Sequence, residues 1–266
     1  MSQQKERERY EGRFCLETEE WLVLTGASGV SAGKSRGETL WLASIDLAAW
    51  RAPGEEMCEQ RRCLSAQVDD GGLKAMQKTL EADHIYRVTV RRSKEGGAAL
   101  LLAGEVLPGA DPALEALLAR RLTPVYYDHP ALGRLTLERT VNWFEGAAQW
   151  MGRTVDVYFD QGGQEEMADS ARTLCTLLDH QGEWNRRVLE KASQELLELK
   201  NDAWLGDGED PLTEEAFHRR MRLESIEGRP EGVFTFWFDD GDLFWGHAIV
   251  VSGTLDQGPQ DAEIMG

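Results

Sequence analysis

Short runs in which apolar and polar residues alternate, or in which apolar β-branched residues predominate, are spaced along the first half of the chain. Such runs predict β-strands, and five of them cover residues 21–26, 39–47, 63–69, 85–92 and 98–106. Between the third and the fourth, Leu73, Met76 and Leu80 recur at helical spacing and predict a helix over 72–82. Several short strands with one interposed helix favour a small, strongly curved sheet, for which an OB-like barrel is one candidate.

A short helix and a connector mark the end of this first domain. Asp111 suits an N-cap and Pro112 suits the first helical position, which predicts a helix over 111–122. The connector TPVYYDHPALG follows, and we place a domain boundary near residue 130. The predicted organisation is a charged, frayed N-terminal segment (1–12), a β-rich domain (13–130) and a second domain (131–266).

The second half of the chain begins with strands, continues with helices and ends with strands. One strand is predicted across Arg134–Gly146 and another over 154–160. Amphipathic spacing predicts helices over 165–180 and 184–199, and Thr213 is placed to cap a shorter third helix. This order predicts an α+β domain in which an antiparallel sheet carries two to three helices on one face.

The last strands surround the most unusual stretch of the chain, VFTFWFDDGDLFWGHAIVVSG (Val233–Gly253). Asp-Gly between apolar runs is a strong signal for a two-residue type I′ turn, so we expect Asp240 and Gly241 at the centre of a hairpin. Asp239 then lies opposite Asp242, a like-charge pair that water or a cation has to screen. The ligand spacing of an EF-hand is absent. These two aspartates are therefore weak candidates for a loose divalent-metal site, and we interpret them as a solvated turn.

The same register places His247 opposite Phe234, on an aromatic face of the hairpin. One interpretation is a hydrogen-bonded histidine in the core or at its rim. The other is a proton-transfer or ligand-orienting group, which needs a carboxylate partner such as Glu145, Asp156 or Asp242. On this second interpretation the candidate ligand-binding residues are His247, Trp245, Trp237 and Glu145. No catalytic residue is assigned.

The sequence contains neither a complete phosphate-binding loop nor the residue spacing of a zinc site or a catalytic nucleophile. SGVSAGKS (Ser28–Ser35) is like a phosphate-binding P-loop, but serine occupies the first glycine position and a strand is predicted to follow where a helix should. We therefore interpret it as a hairpin loop. The four cysteines and five histidines show no zinc spacing, and no serine or cysteine nucleophile motif is present. No cofactor is predicted.

The composition and charge narrow the class of protein. Of 266 residues, 41% are hydrophobic and nine are tryptophan, which is enough for well-packed cores. The net charge of −18 is uneven: residues 1–130 carry 17 basic and 20 acidic side chains, whereas residues 131–266 carry 12 and 27. An acidic surface repels nucleic acid and steers basic partners toward the second half. No secretory signal or apolar run of about 18 residues is recognisable, so we expect a cytoplasmic protein that does not enter a membrane.

Several short motifs of the second half resemble an uncharacterised bacterial family. They are Phe144-Glu145-Gly146, Asn201-Asp202 with Trp204, and above all LFWGHAIVVSGTL with the closing DAEIMG. Together they are similar to the family designated domain of unknown function 2262, over about residues 131–266. The resemblance implies a bacterial, soluble α+β domain. Because no reaction is assigned to that family, the resemblance implies no catalytic residue.

Two functions of different classes are consistent with these features. The first is a non-catalytic acidic interaction protein, similar in character to bacterial immunity or accessory proteins, that binds a basic protein partner. The acidic second half, the aromatic richness and the lack of a catalytic signature favour it. The alternative is an enzyme or small-molecule-binding protein that uses an aromatic pocket around Trp245 and His247.

Overall fold

A computed structural model describes residues 2–206 and 208–266 of the chain. The chain divides into two compact units, Met1–Thr123 and Pro124–Gly266. Residues 124–130, which our sequence-based division assigned to the end of the first domain, belong to the second unit and include its first strand.

Within residues 2–123, the first unit combines six strands with three helices. Its elements are α1 (Gln3–Glu11), β1 (Glu19–Thr25), β2 (Ser31–Gly33), β3 (Trp41–Arg51), β4 (Arg62–Val68), α2 (Asp70–Thr79), β5 (Ile85–Arg92), β6 (Ala99–Pro108) and α3 (Pro112–Leu122). The sheet order is β1-β5-β6-β4-β3-β2, and β1 also pairs with β3, so the five long strands close on themselves. Three consecutive strands with the fourth returning beside the first is a Greek key. The β-rich curved domain is confirmed, with the five-stranded barrel of an OB-like fold.

The barrel is filled by apolar side chains that alternate along its strands. Trp21 of β1 stacks on Trp50 of β3 with ring centroids 4.8 Å apart, and both rings are buried. Met76 from α2 belongs to the same cluster, so the helix between the third and fourth long strands packs against the barrel core. This placement explains the helical spacing that the sequence showed between two β-segments.

The expectation of a frayed N-terminal segment is wrong, because residues 3–11 form α1. Its anchor is the fully buried carboxylate of Glu6, which accepts hydrogen bonds from the backbone amides of Thr39 (3.0 Å) and Leu40 (3.0 Å). Tyr10 adds a hydrogen bond from its hydroxyl to Oγ of Ser65 (2.7 Å). The helix buries a glutamate and a tyrosine instead of an apolar stripe, so hydrophobic periodicity gave no sign of it.

In the part of the second unit that the structure describes, one sheet of eight strands is accompanied by three α-helices. Its elements are β7 (Tyr126–His129), β8 (Gly133–Glu138), β9 (Trp143–Trp150), β10 (Arg153–Asp160), α4 (Gln164–Asp179), α5 (Gln181–Ala203), α6 (Glu214–Arg220), β11 (Arg222–Gly228), β12 (Val233–Asp239), β13 (Ala248–Thr254) and β14 (Gly258–Met265). Strands lie side by side in chain order and are antiparallel, except that β10 and β11 are parallel across the helical crossover. The single strand predicted over Arg134–Gly146 is wrong, since β8 and β9 are separated by a turn in which Asn142 has a φ of 62°.

Helices and sheet share one core, which confirms the α+β architecture. Phe234, Phe236 and Phe238 alternate along β12 and are all buried on the face that carries the helices. Trp184 of α5 packs edge-on to Phe234, with centroids 5.2 Å apart. At Gly228 a Cβ would stand 2.8 Å from the carbonyl oxygen of Ser170, so glycine lets α4 lie close against β11.

Helix α6 begins where the sequence placed its capping residue. Thr213 accepts a hydrogen bond from the amide of Ala216 (3.3 Å) and caps α6 as expected.

The longest helix, α5, has 23 residues but carries charged side chains throughout. No helix within residues 2–206 and 208–266 is both long and apolar enough to cross a bilayer.

The two-residue turn predicted for the aromatic hairpin is wrong. β12 and β13 pair with Asp239 opposite Ala248 and with Phe234 opposite Gly253, not His247. Residues 240–247 therefore form an eight-residue loop between the two strands, and Asp239 does not face Asp242 across a ladder.

Candidate functional site

The loop 240–247 is organised by the side chain of Asp240, which is only 2% exposed. Its Oδ1 accepts from the amide of Asp242 (3.0 Å), and its Oδ2 accepts from the amides of Phe244 (2.6 Å) and Gly246 (3.2 Å). Three backbone donors satisfy a carboxylate that would otherwise be costly to bury. The loop is therefore held by a polar centre of its own.

Burial explains why this loop replaces the short turn. Leu243 and Phe244 are both fully buried in the core of the second unit. A tight turn at Asp240 and Gly241 would keep these residues on the hairpin ladder, whereas the loop directs both into the core. Gly241 has a φ of 55°, and a Cβ there would clash with the carbonyl oxygen of Arg220. Glycine at position 241 therefore allows the loop to lie close against the end of α6.

The most exposed large aromatic residue on this loop is Trp245, at 67%. Its φ of 60° is in the left-handed region, which a bulky side chain rarely adopts. The indole packs beside Trp204, which follows α5, with centroids 4.8 Å apart. Residues in strained backbone conformations cluster at functional sites, and Trp245 combines such a conformation with an exposed aromatic ring.

His247 lies half-buried beneath the same aromatic group. Its Nδ1 is 2.6 Å from the carbonyl oxygen of Phe244, and because a carbonyl only accepts, Nδ1 donates this hydrogen bond. Its ring lies 5.6 Å from the ring of Trp204. The partner of this nitrogen is a backbone carbonyl and none of the carboxylates that the sequence suggested. The histidine fixes the end of the loop, with Trp204 and Trp245 forming the adjoining surface.

An ionic cluster that the sequence did not reveal supports the loop from below. Lys200 Nζ donates to the carbonyl of Trp204 (2.6 Å) and pairs with Oε2 of Glu209 (2.7 Å). Arg220 pairs with Oε1 of Glu209 (2.9 Å) and donates through Nε to the carbonyl of Gly241 (2.9 Å). The amide of Gly206 and the ammonium of Lys200 lower the pKa of Glu209 to about 2. The cluster joins the end of α5, the following segment, α6 and the loop 240–247.

Exposed acidic residues lie close in sequence to Trp204 and Trp245. Asp202, in the last turn of α5, Asp210 and Asp242 are all exposed. Asp239, one of the two weak metal candidates, accepts a hydrogen bond from the amide of Gly241 (2.9 Å). Among the residues that the structure describes, no three His, Cys, Asp or Glu side chains are grouped to hold a metal ion. The chemistry of this surface is that of an exposed aromatic ring beside carboxylates.

The remaining two sequence candidates lie elsewhere in the unit. Trp237 is on β12, opposite Ser225 and Val250, on the sheet face turned away from the helices. Its Nε1 is buried and has no hydrogen-bond partner within the described part of the chain. Glu145 is on β9, separated from β12 by two strands, and accepts from Nε1 of Trp143 (3.2 Å). The four candidates therefore do not meet in one pocket: Trp245 and His247 share the loop, whereas Trp237 and Glu145 share only a face of the sheet.

Comparison with known proteins matches each unit to a separate family model. Residues 6–121 match a domain of unknown function designated DUF7021, to which the first unit is similar. No curated protein and no solved structure matches the chain. Residues 129–264, half of the chain, match the model of uncharacterised proteins conserved in bacteria designated DUF2262, which confirms the resemblance seen in the sequence. The chain belongs to the DUF2262 family.

Proposed function

We propose that the chain is a non-catalytic, cytoplasmic interaction protein whose acidic second unit binds a basic protein partner, in the manner of an immunity or accessory protein. The surface that makes the contact is formed by Trp245 and Trp204 with the exposed carboxylates of Asp202, Asp210 and Asp242, and we call it the tryptophan surface. The observation that carries the proposal is the exposure of Trp245 on a loop that is fixed from within.

A preorganised tryptophan is well suited to be the centre of an interface. Tryptophan is among the residues that contribute most to binding energy, and a residue already held in place loses little conformational entropy on association. The three amides bonded to Asp240 and the packing of Trp245 on Trp204 supply this preorganisation. The strain at Trp245 is then offset by the buried polar centre beneath it.

Charge indicates the class of partner. The second unit carries 12 basic and 28 acidic side chains, a net of −16, whereas the first carries 17 and 19, a net of −2. Cationic side chains bind favourably over the face of a tryptophan ring and beside carboxylates. A partner that presents lysine or arginine to the tryptophan surface therefore gains both steering and contact energy.

The test is affinity purification of the tagged full chain from a bacterial host, at low and at moderate salt, with mass spectrometry of the retained proteins. We expect one basic protein at near-equal stoichiometry that moderate salt releases, because ions screen exposed charges. With the purified pair, Trp245→Ala should raise the dissociation constant by roughly 30-fold, since a central tryptophan contributes about 2 kcal/mol or more to binding.

Met151→Ala is the matched control. Met151 is also exposed, also has a positive φ (49°), and lies in the turn between β9 and β10 of the same unit. Its truncation should leave the dissociation constant unchanged. A partner that binds equally well to the Trp245→Ala protein, or whose affinity does not change with salt, would refute the proposed surface.

A further inference from the structure

A cleft of about 790 Å³ lies in the first unit, between α1 and the strands β2 to β4. Arg9, Tyr10 and Arg13 form one wall, and residues 31–35 with Glu38 form the other. The volume is in the range of small-molecule sites. The segment includes the GKS residues that failed as a P-loop, which here lie at and just after a short β-strand.

The walls of this cleft are cationic in a chain that is strongly acidic. Arg9, Arg13 and Lys34 face one carboxylate, that of Glu38, which leaves a local net charge of +2. Arg9 is paired with Glu38 at 2.8 Å. Arg13 has its guanidinium carbon 5.4 Å from the ring centroid of Tyr10, and within the described residues no carboxylate pairs with it. An anion entering the cleft therefore finds one arginine without a competing carboxylate.

The floor of the cleft carries a buried polar atom without a partner. Gln67 of β4 is only 8% exposed and lines the cleft, yet no described residue donates a hydrogen bond to its Oε1. An unsatisfied buried acceptor costs about 1–3 kcal/mol, so it needs an explanation. Because this oxygen is closed to solvent, a ligand hydroxyl or amine can donate to it once the Gln67 amide turns toward the cleft.

Hydroxyl groups continue this polar floor toward the rim. Ser31 of β2 pairs with Ser44 of β3 in the sheet register, and their Oγ atoms lie 3.5 Å apart. Both side chains line the cleft beside Gln67. The cleft thus offers an anion-binding arginine at one wall and uncharged donors and acceptors at the floor.

We propose that this cleft binds a phosphate monoester of a small polyhydroxylated molecule, that is, a sugar phosphate. Arg13 binds the phosphate, with Lys34 and Arg9 adding positive potential, and a ligand hydroxyl donates to Oε1 of Gln67. A charged arginine and hydroxyl-matching groups in one cavity fit a ligand that carries both features. The proposal concerns the first unit and does not depend on the proposed partner of the second.

The test is calorimetric titration of the full chain with five probes: ribose 5-phosphate, glucose 6-phosphate, inorganic phosphate, ribose and a short single-stranded oligonucleotide. We expect at least one sugar phosphate to bind, and to bind at least tenfold more tightly than inorganic phosphate or ribose. Arg13→Gln should weaken that binding at least tenfold, because the phosphate loses its charge-assisted hydrogen bonds. Gln67→Leu should weaken it about tenfold while keeping the melting temperature, since leucine removes an unsatisfied acceptor.

Arg7→Gln is the matched control, because Arg7 is an exposed arginine of α1, the helix that precedes Arg13, and it does not line the cleft. It removes the same charge and should leave the affinity unchanged. Absence of binding by both sugar phosphates at millimolar concentration would overturn the proposal. So would equal loss of affinity with Arg7→Gln and Arg13→Gln, or tighter binding of a short single-stranded oligonucleotide than of either sugar phosphate.

Discussion

Lys200 and Glu209 form an ion pair of 2.7 Å in which the lysine side chain is only 1% exposed. A buried ammonium is tolerated only when it is paired and hydrogen-bonded, and Lys200 also donates to the carbonyl of Trp204. The Glu209 carboxylate also forms an ion pair with Arg220 and accepts a hydrogen bond from the amide of Gly206. This carboxylate therefore connects the elements beneath the tryptophan surface.

Glu209→Gln should destabilise the second unit by roughly 3 kcal/mol, since removal of one partner leaves a buried charge uncompensated. Urea unfolding followed by tryptophan fluorescence gives the change, and hydrogen exchange of peptides covering 196–246 locates it. Glu198→Gln changes an exposed glutamate of α5 in the same way and should alter the midpoint little. Equal midpoints for the two variants would show that the pair contributes nothing measurable.

The same carboxylate predicts a loss of stability in acid. The pKa of Glu209 is about 2 in the folded chain, below the value of about 4.3 for an unfolded glutamate. A lowered folded pKa gives stability that is present above the unfolded pKa and is lost as the pH falls toward the folded one. The free energy of unfolding should therefore fall between about pH 5 and pH 2, and more steeply in the wild type than in Glu209→Gln. Parallel pH profiles would contradict this origin of the acid sensitivity.

The sequence predicted the elements that neighbouring residues determine, and it missed those that depend on contacts between residues far apart in the chain. The barrel strands and the helices α2 and α5 follow from side-chain periodicity, which is a property of neighbouring residues. Helix α1 could not be predicted from an apolar stripe, since its anchor Glu6 bonds to amides more than 30 residues away. Sequence spacing likewise gives no sign that Lys200 and Arg220 meet at one carboxylate.

The aromatic loop shows a local signal overridden by packing. Asp240 and Gly241 satisfy the residue preferences of a two-residue turn. The structure uses the same two residues differently, because burial of Leu243 and Phe244 favours a longer loop in which the Asp240 carboxylate gathers backbone amides. The free energy of burying two large side chains is several kcal/mol, more than a turn preference contributes.

The close approach at Gly241 can be separated from its backbone conformation. Gly241 and Gly246 both have positive φ, 55° and 88°, but a Cβ at Gly246 meets no atom within 4 Å. Gly246→Ala should therefore cost only the conformational penalty of about 1 kcal/mol. Gly241→Ala adds a clash with the carbonyl of Arg220 and should cost clearly more, with faster hydrogen exchange in both α6 and the loop. Equal destabilisation by the two variants would mean that the chain relaxes around the added methyl group.

The ionisation of Tyr158, which lies on the sheet face turned away from the helices, should lower the stability of the fold in alkali. This buried side chain of β10 has its pKa raised to about 12 by burial and by the nearby carboxylate of Glu227, which is itself buried. In the unfolded chain the phenol ionises near pH 10, so the unfolded state gains stability from ionisation before the folded state does. The free energy of unfolding should fall by about 1 kcal/mol more between pH 9 and pH 11 in the wild type than in Tyr158→Phe. Urea midpoints across this range give the comparison, and Tyr126→Phe, at a ring that is about half exposed, should retain the wild-type slope. If Tyr158→Phe also retains that slope, the ionisation of Tyr158 is not what couples the fold to alkaline pH.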